Sequence, residues 1–425
     1  MCLPAAPGRA RVALAAALFL LPSKKIFSSP SSSSPPVSVP APVGVWHAAL
    51  VPISEYPVLF DVRIVARGKG LAASLVNGAF EVPFTSAAWD GTTLTLELAH
   101  YDARIVAERR GESLEGHYVR GLGSGVADVP FSASRAAPPV PAAPANGKAI
   151  AGTWGFEMDE PPARAVKLTG VFAEKGAALT GTLVGLTGDY GALHGWFDGE
   201  RMLLTVFDGV HVYRFDGELL PDGTLAGEYR SRTNPPVSWR ARRLAGASAE
   251  SWLPSASGVV RAKDPAAPFT FAYPDSEGRI VSSEDAGFAG KPMVVEIMGT
   301  WCPNCFDEAP VLRDLLAAYG PKGLAMVSLS FEYTDDGARN RLQVKRFIER
   351  HGIRHPVLVA GTTATARASA AIEQLDGWRG YPTTLFLDRA HRIARTLSGF
   401  EGPATGERYA KAKKEIEGDV KAILR

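Results

Sequence analysis

Over the first half of the chain, apolar and polar residues alternate in short runs, at 58–66, 71–76, 80–85, 92–98, 103–107 and 116–120, with glycine or Asp-Gly between them. Alternation at period two buries one face of a strand, and turn residues between such short runs predict an antiparallel meander rather than strands joined by helices. An Ala/Pro-rich linker at 136–148 interrupts the pattern, which returns over 149–246. The last third changes period. Apolar runs at 293–298, 325–331, 357–359, 383–387 and 393–397 predict strands, and stretches of helical periodicity at 303–319, 338–351, 365–375 and 406–424 predict helices between or after them. On the last helix Tyr409, Ile416, Val420 and Ile423 share a face. Alternating strands and helices indicate an α/β domain over 264–425, entered through a hairpin turning at 275–278.

The two β-rich stretches, 43–135 and 149–246, read as copies of one all-β module. Trp46 and Trp154 lie 108 residues apart, as do Asp90-Gly91 and Asp198-Gly199. Leu114-Glu115-Gly116-His117-Tyr118 is answered 111 residues later by Leu225-Ala226-Gly227-Glu228-Tyr229, the three extra residues fitting a longer turn at Pro221-Asp222-Gly223. Each copy opens with Gly-x-Trp, which is similar to the first strand of lipocalin and avidin-type barrels. Closure as small barrels would remove the sheet edges; two open copies could instead pair as one sandwich, and the sequence leaves both readings standing. The tryptophans suit packing at the base of a sheet. His100, His117, His194 and His211 are scattered and expected at surface or turn positions, with no catalytic or metal-ligating cluster in either copy.

Candidate chemistry concentrates at Gly299-Thr300-Trp301-Cys302-Pro303-Asn304-Cys305, where a predicted strand gives way to a predicted helix. Unpaired N–H groups and the dipole at a helix start favour a thiolate, so Cys302 is the expected attacking sulfur. The C-x-x-C spacing brings Cys305 one turn round, placed to resolve a mixed disulfide. Pro303 suits a first helical turn, and Pro310 should kink the helix. A zinc site would need further ligands at suitable spacing, which the scattered histidines do not offer. A purely structural bridge would close too short a loop to restrain much chain. A redox-active Cys302–Cys305 disulfide is therefore expected, with no other cofactor and no metal. Trp301 shields the sulfurs or simply packs beside them.

The run Lys291-Pro292-Met293-Val294-Val295-Glu296-Ile297-Met298 leading into the Cys302 motif, with Gly380-Tyr381-Pro382-Thr383-Thr384-Leu385-Phe386-Leu387-Asp388 downstream, resembles the TlpA/ResA-like extracytoplasmic thioredoxins over roughly 264–425. The resemblance implies a thioredoxin-like fold, a cis proline at Pro382 against the sulfurs, and a backbone at Tyr381 that receives a bound peptide. It also implies acids at Glu308 and Glu296 that move protons to and from the resolving thiol. The residues themselves add to this. Glu296 interrupts an apolar run where an unpaired charge is costly, which favours a functional role. Glu308, on the first turns of the helix, could equally complement its dipole. Pro-Asn between the sulfurs and acids nearby should raise thiol pKa values, which favours reduction over oxidation of substrates. The family points the same way, to protein disulfides such as those of apocytochrome c and to a membrane-bound electron donor.

Composition narrows the rest. A chain of 425 residues with 46 Lys plus Arg against 44 Asp plus Glu has room for several domains and carries no basic, aromatic-laced stretch, so nucleic acid is not an expected partner. Arg9 and Arg11 precede ten apolar residues at 12–21, sized for a signal-peptide core and short for a membrane span. Residues 1–27 are read as a signal peptide or N-terminal anchor, 28–42 as a Ser/Pro-rich linker and 247–263 as another linker. Membrane contact is expected only through an uncleaved anchor. Of three cysteines, Cys2 precedes the apolar run, an economy that suits the bacterial periplasm or another oxidising extracytoplasmic compartment. The expected activity is thiol-disulfide oxidoreduction. Its rivals are a peroxiredoxin-type peroxidase, whose Pro-x-x-x-Thr-x-x-Cys setting is absent, and a β-repeat ligand-binding protein with a redox-sensing thioredoxin-like domain.

Overall fold

A computed structural model describes residues 40–425 apart from 53–54, 123–124, 145–146, 161–163 and 233; the signal or anchor segment, Cys2 and most of the Ser/Pro-rich linker lie outside the described residues. Among the described residues no helix is long and apolar enough to cross a membrane.

The first module comprises β1 (Gly44–Leu50), β2 (Val58–Arg67), β3 (Gly70–Asn77), β4 (Phe80–Pro83), β5 (Ser86–Trp89), β6 (Thr93–Leu98), β7 (Ala103–Arg110), β8 (Ser113–Leu122) and β9 (Gly125–Ser134). From β5 to β9 each strand pairs antiparallel with the next, and β9 returns to β1. Strand β1 pairs with β2, β2 with β3 and β3 with β5, so eight strands close on themselves and β4 hangs on β3 as a flap. The second module repeats this with β10 (Gly152–Glu160), β11 (Arg164–Lys175), β12 (Ala178–Gly185), β13 (Gly188–Asp189), β14 (Leu193–Phe197), β15 (Arg201–Phe207), β16 (Val212–Leu219), β17 (Leu225–Ser231) and β18 (Val237–Arg243). Its first strand again pairs with both the second and the last, and β13 is the appended piece. The region is therefore two all-β barrels rather than one sandwich. Closure satisfies the edge hydrogen bonds that a sandwich would leave at each copy's margins.

The repeated tryptophans do matching work. Trp46 and Trp154 are buried, and each indole N–H donates across 2.7 Å to a carbonyl four residues upstream, at Pro42 and Ile150. Arg135 and Arg243, also 108 apart, lie over the two rings and donate to the chain entering each barrel, at Val43 and Val45 and at Ala149 and Ala151. Each pair plugs one barrel end. Replacing Trp154 with alanine should remove about 3–5 kcal/mol of stability, read as a lower urea midpoint for the loss of β structure.

The barrels pack on each other through matched polar and apolar contacts. Asn77 exchanges two hydrogen bonds with the backbone of Phe207, Tyr118 donates to the Gly209 carbonyl, and Phe60 meets Phe207 with ring centres 4.8 Å apart.

The connector from 247 onward is not a free linker. It forms α1 (Ala247–Glu250), buries Trp252, whose indole donates to Leu168 of the second barrel, and then adds β19 (Arg261–Ala262). An indole and Val260 buried against neighbouring modules hold it in place.

The last domain has a hairpin of β20 (Ala272–Pro274) and β21 (Ile280–Ser282), then β22 (Met293–Met298), α2 (Pro303–Tyr319), β23 (Ala325–Glu332), α3 (Gly337–His351), β24 (Val357–Thr362), α4 (Ala370–Glu373), β25 (Leu375–Asp376), β26 (Thr383–Leu387), β27 (Ile393–Ser398) and α5 (Glu407–Leu424). Five strands form one sheet in the order β24-β23-β22-β26-β27, the first three parallel and the last two antiparallel to their neighbours. All six residues of β22 are buried, as a central strand covered on both faces requires. Val294 and Phe386 pack under α2 and α5, while Met293, Val295 and Ile297 face α4 and the phenylalanines of the entering segment. Pro310 sits inside α2 without ending it. The helix expected at 365–375 is shorter, a 3-10 turn at Ala366–Ala368 followed by α4, because Ser369 is extended and caps α4 through its hydroxyl.

Candidate active site

The site is built where β22 hands over to α2. Cys302 is the N-cap of α2, in extended conformation, and its sulfur accepts the Cys305 N–H at 3.4 Å. The helix starts at Pro303, so the thiol sits at the end of a helix of 17 residues, where unpaired N–H groups face it. The loop before it is held by Glu332, which accepts from the Thr300 N–H at 3.1 Å, the Thr300 hydroxyl at 2.8 Å and the Ser330 hydroxyl at 2.5 Å. Cys302 is only 5 % exposed and Cys305 is fully buried.

Spacing on α2 places Cys305 and Glu308 on its inner face. Strand register then brings a second acid to the same layer: Glu296 of β22 lies opposite Ser328 of β23 and Thr384 of β26, on the sheet face that α2 covers. The Ser328 hydroxyl donates to Glu296 at 2.6 Å and also meets His355 Nε2 at 2.9 Å; the Thr384 hydroxyl donates to Glu308 at 2.7 Å. One oxygen of each carboxyl, Glu296 Oε1 and Glu308 Oε2, is buried without a protein partner. Burial pushes the Glu296 carboxyl up to about 7 against the pull of the Ser328 hydrogen bond, and burial, then the charge of Glu296, holds Glu308 well above the usual carboxylate range against the Thr384 hydrogen bond. Burial, helped by Cys302 and Glu296, holds the Cys305 thiol well above its ordinary range. Burial brings His355 down to about 4, so it is a neutral imidazole at neutral pH. Glu308 therefore does not act as a solvent-facing complement to the helix dipole. Both acids lie beneath the sulfurs.

Pro382 follows a cis peptide bond at the head of β26, and Tyr381 before it meets Trp301 edge-on, with ring centres 5.4 Å apart. Trp301 stacks obliquely on Tyr333 at 4.4 Å and donates its N–H to the Phe331 carbonyl at 2.8 Å. Trp301, Tyr333 and Tyr381 thus make an aromatic collar at the active-site loop. All seven residues singled out in the sequence, Glu296, Trp301, Cys302, Cys305, Glu308, Tyr381 and Pro382, fall in this one region. Sequence reading missed Ser328, His355, Glu332 and Tyr333. The hydroxyls at 328 and 330, alternating within an otherwise apolar strand, were the available signal.

The barrels also reach the site. His100, expected at the surface, is 97 % buried in a 3-10 turn, because its ring and that of Tyr101 stack against Phe306 of α2 at 5.0 and 4.6 Å. Gln343 and Arg346 of α3 donate to the carbonyls of that turn, and Asp102 accepts a forked pair from Arg339 at 2.8 and 3.0 Å. A cleft of about 350 Å³ remains between the three modules, bordered by Tyr101, Asp189, Asp208, Asn304, Phe306 and Asp307. Among the described residues no group of three His, Cys, Asp or Glu is arranged to hold a metal.

Residues 262–396 match the AhpC/TSA family. The ResA thiol-disulfide oxidoreductase of Bacillus thuringiensis subsp. konkukian is 25 % identical over 141 residues, covering 33 % of this chain and 73 % of that protein. Among solved structures, a thioredoxin-family thiol:disulfide interchange protein from Chlorobium tepidum is 24 % identical with a TM-score of 0.30, covering 38 % of this chain and 98 % of its own. A secreted disulfide oxidoreductase of Mycobacterium tuberculosis is 18 % identical with a TM-score of 0.27, covering 36 % and 95 %. Over about its last third, then, this chain is similar to the AhpC/TSA family, and there it folds as a thioredoxin-like domain with its paired cysteines at the start of α2.

Proposed function

We propose that the protein is an extracytoplasmic thiol-disulfide oxidoreductase that works as a reductase of protein disulfides, of the kind that apocytochrome c presents. The observation that carries this is the Cys302 sulfur at the start of α2, receiving the Cys305 N–H, with Cys305 buried behind it. Cys302 attacks as a thiolate, forming a mixed disulfide and expelling one substrate sulfur as a thiol once protonated. Cys305 gives up its proton and attacks Cys302, so the second substrate sulfur leaves. Two electrons pass to the substrate, and the domain is left with a Cys302–Cys305 disulfide that a membrane-bound dithiol donor must reduce again.

The buried acids support that direction. A strong oxidant owes its potential to a stabilised thiolate, whereas here Cys305 is pushed toward the thiol and a negative Glu296 pushes it further. Equilibration of the Cys302/Cys305 pair with dithiothreitol should give a potential near the thioredoxin value of about −270 mV; one near about −120 mV would make the protein a disulfide donor. Hydrogen peroxide turnover by the purified protein would favour the peroxidase reading instead. Export and tethering through 1–27 belong to the same proposal and are checked by fractionating cells that express the full chain.

A further inference from the structure

With β22, α2 and the buried Cys305 closing the inner side of Cys302, a substrate disulfide must approach it over the loops that carry Asn304 and Pro382. That face is occupied by the tip of the second barrel. Thr187 and the two residues of β13, Gly188 and Asp189, lie on it: the side-chain amide of Asn304, the residue before Cys305, donates to the carbonyls of Thr187 and Asp189, each at 3.3 Å. The Gly402 N–H donates to the Asp189 carboxylate at 2.6 Å. Backbone meets backbone here. Gly188, at φ +119°, is so close that a Cβ would overlap the Asn304 amide and come within 2.7 Å of the Phe400 carbonyl, and one on Gly399 would lie 2.5 Å from the Gly188 nitrogen. Thr187 also approaches Gly380, two residues before Pro382. With Tyr101 of the first barrel packed on Phe306 from another side, Cys302 is left 5 % exposed.

A folded protein carrying a disulfide cannot reach so covered a sulfur unless what covers it moves aside. We propose that the tip of the second barrel at Thr187–Asp189 is an internal pseudosubstrate: it holds the place of the substrate chain, and substrates gain access to Cys302 by displacing it and offering their own backbone carbonyls to Asn304. This rests on the reductase reading and adds its regulation. Two long amide contacts and one carboxylate latch make a hold that a competing chain can replace.

The test uses the full chain, reduced, with labelling of Cys302 read by peptide mass. Rates are compared for iodoacetamide and for a maleimide carried on a long polyethylene glycol, each normalised to a free cysteine peptide. The unmodified protein should disfavour the bulky reagent by about tenfold or more, the ratio set by a cap closed at least roughly nine-tenths of the time. Gly188→Val, which breaks the close approach, and Asp189→Ala, which removes the latch, should bring that ratio toward one and speed reduction of insulin disulfides. No size discrimination in the unmodified protein overturns the proposal even if both variants fail to fold, as does an unchanged ratio in folded variants. Variants that expose Cys302 to the bulky reagent yet reduce no disulfide would keep the cap and sink the reductase reading.

Discussion

Cys302→Ser should abolish disulfide reduction, lowering turnover by a factor on the order of 10³ or more, the scale on which losing a catalytic nucleophile is felt. Cys305→Ser should fail differently. It keeps the attacking sulfur at the start of α2, so it should cleave one substrate disulfide and stop, leaving substrate bound through Cys302. The difference follows from position: Cys302 is the N-cap, its sulfur accepting the Cys305 N–H, whereas Cys305 is wholly buried with its thiol held protonated. Non-reducing gel shift and mass spectrometry of the trapped species give the measurement. A stable adduct on Cys305→Ser and none on Cys302→Ser is expected. Comparable turnover by both variants, or an adduct on the wrong sulfur, would remove the assignment of roles.

Much of this was legible in the sequence because the signals are local. The Cys302 to Cys305 spacing, the apolar run broken by Glu296, and the 108-residue echo of Trp46 in Trp154 can each be read within a window of a few residues or one repeat. What could not be read depends on contacts between distant segments. Closure of each barrel requires pairings such as β1 with β9, set by strand twist and number rather than by periodicity, so sandwich and barrel fitted the same alternation. The polar chain below the sulfurs joins Glu296, Ser328 and His355 from separate elements; each alone is a single polar residue in an apolar setting. His100 looked like a surface histidine because nothing near it in sequence predicts Phe306. The cap on Asn304 is likewise a contact across more than a hundred residues, made possible by two glycines whose need appears only once the barrel is docked.

The acid beneath the dithiol carries the second large effect. With its carboxyl pushed up to about 7, Glu296 is split between acid and base near neutral pH, and its charge is felt by Cys305. A base so placed can take the Cys305 proton in the resolving step, and Ser328 with the neutral His355 behind it steadies the carboxylate that results. Glu296→Gln keeps the shape and the Ser328 hydrogen bond but cannot accept that proton. Turnover should fall about 10²-fold at neutral pH, the lower end of what a positioned acid-base group contributes, and the rise in rate through pH 7 expected of the unmodified protein should be absent. Stability should move the other way. Because the folded value lies above the unfolded one near 4.5, the unfolded chain loses its proton first as pH rises; the native protein is therefore at full relative stability below pH 4.5 and loses it up to about pH 7. At about 1.4 kcal/mol per unit, the loss is on the order of 3 kcal/mol, and Glu308, raised in the same direction, adds to it. Glu296→Gln should thus be the more stable protein at pH 8 and show a flatter urea midpoint between pH 5 and 7. A variant that is slower but keeps the rate limb near pH 7 would show that Glu296 only fills space beneath the sulfurs, and proton transfer would then fall to Glu308.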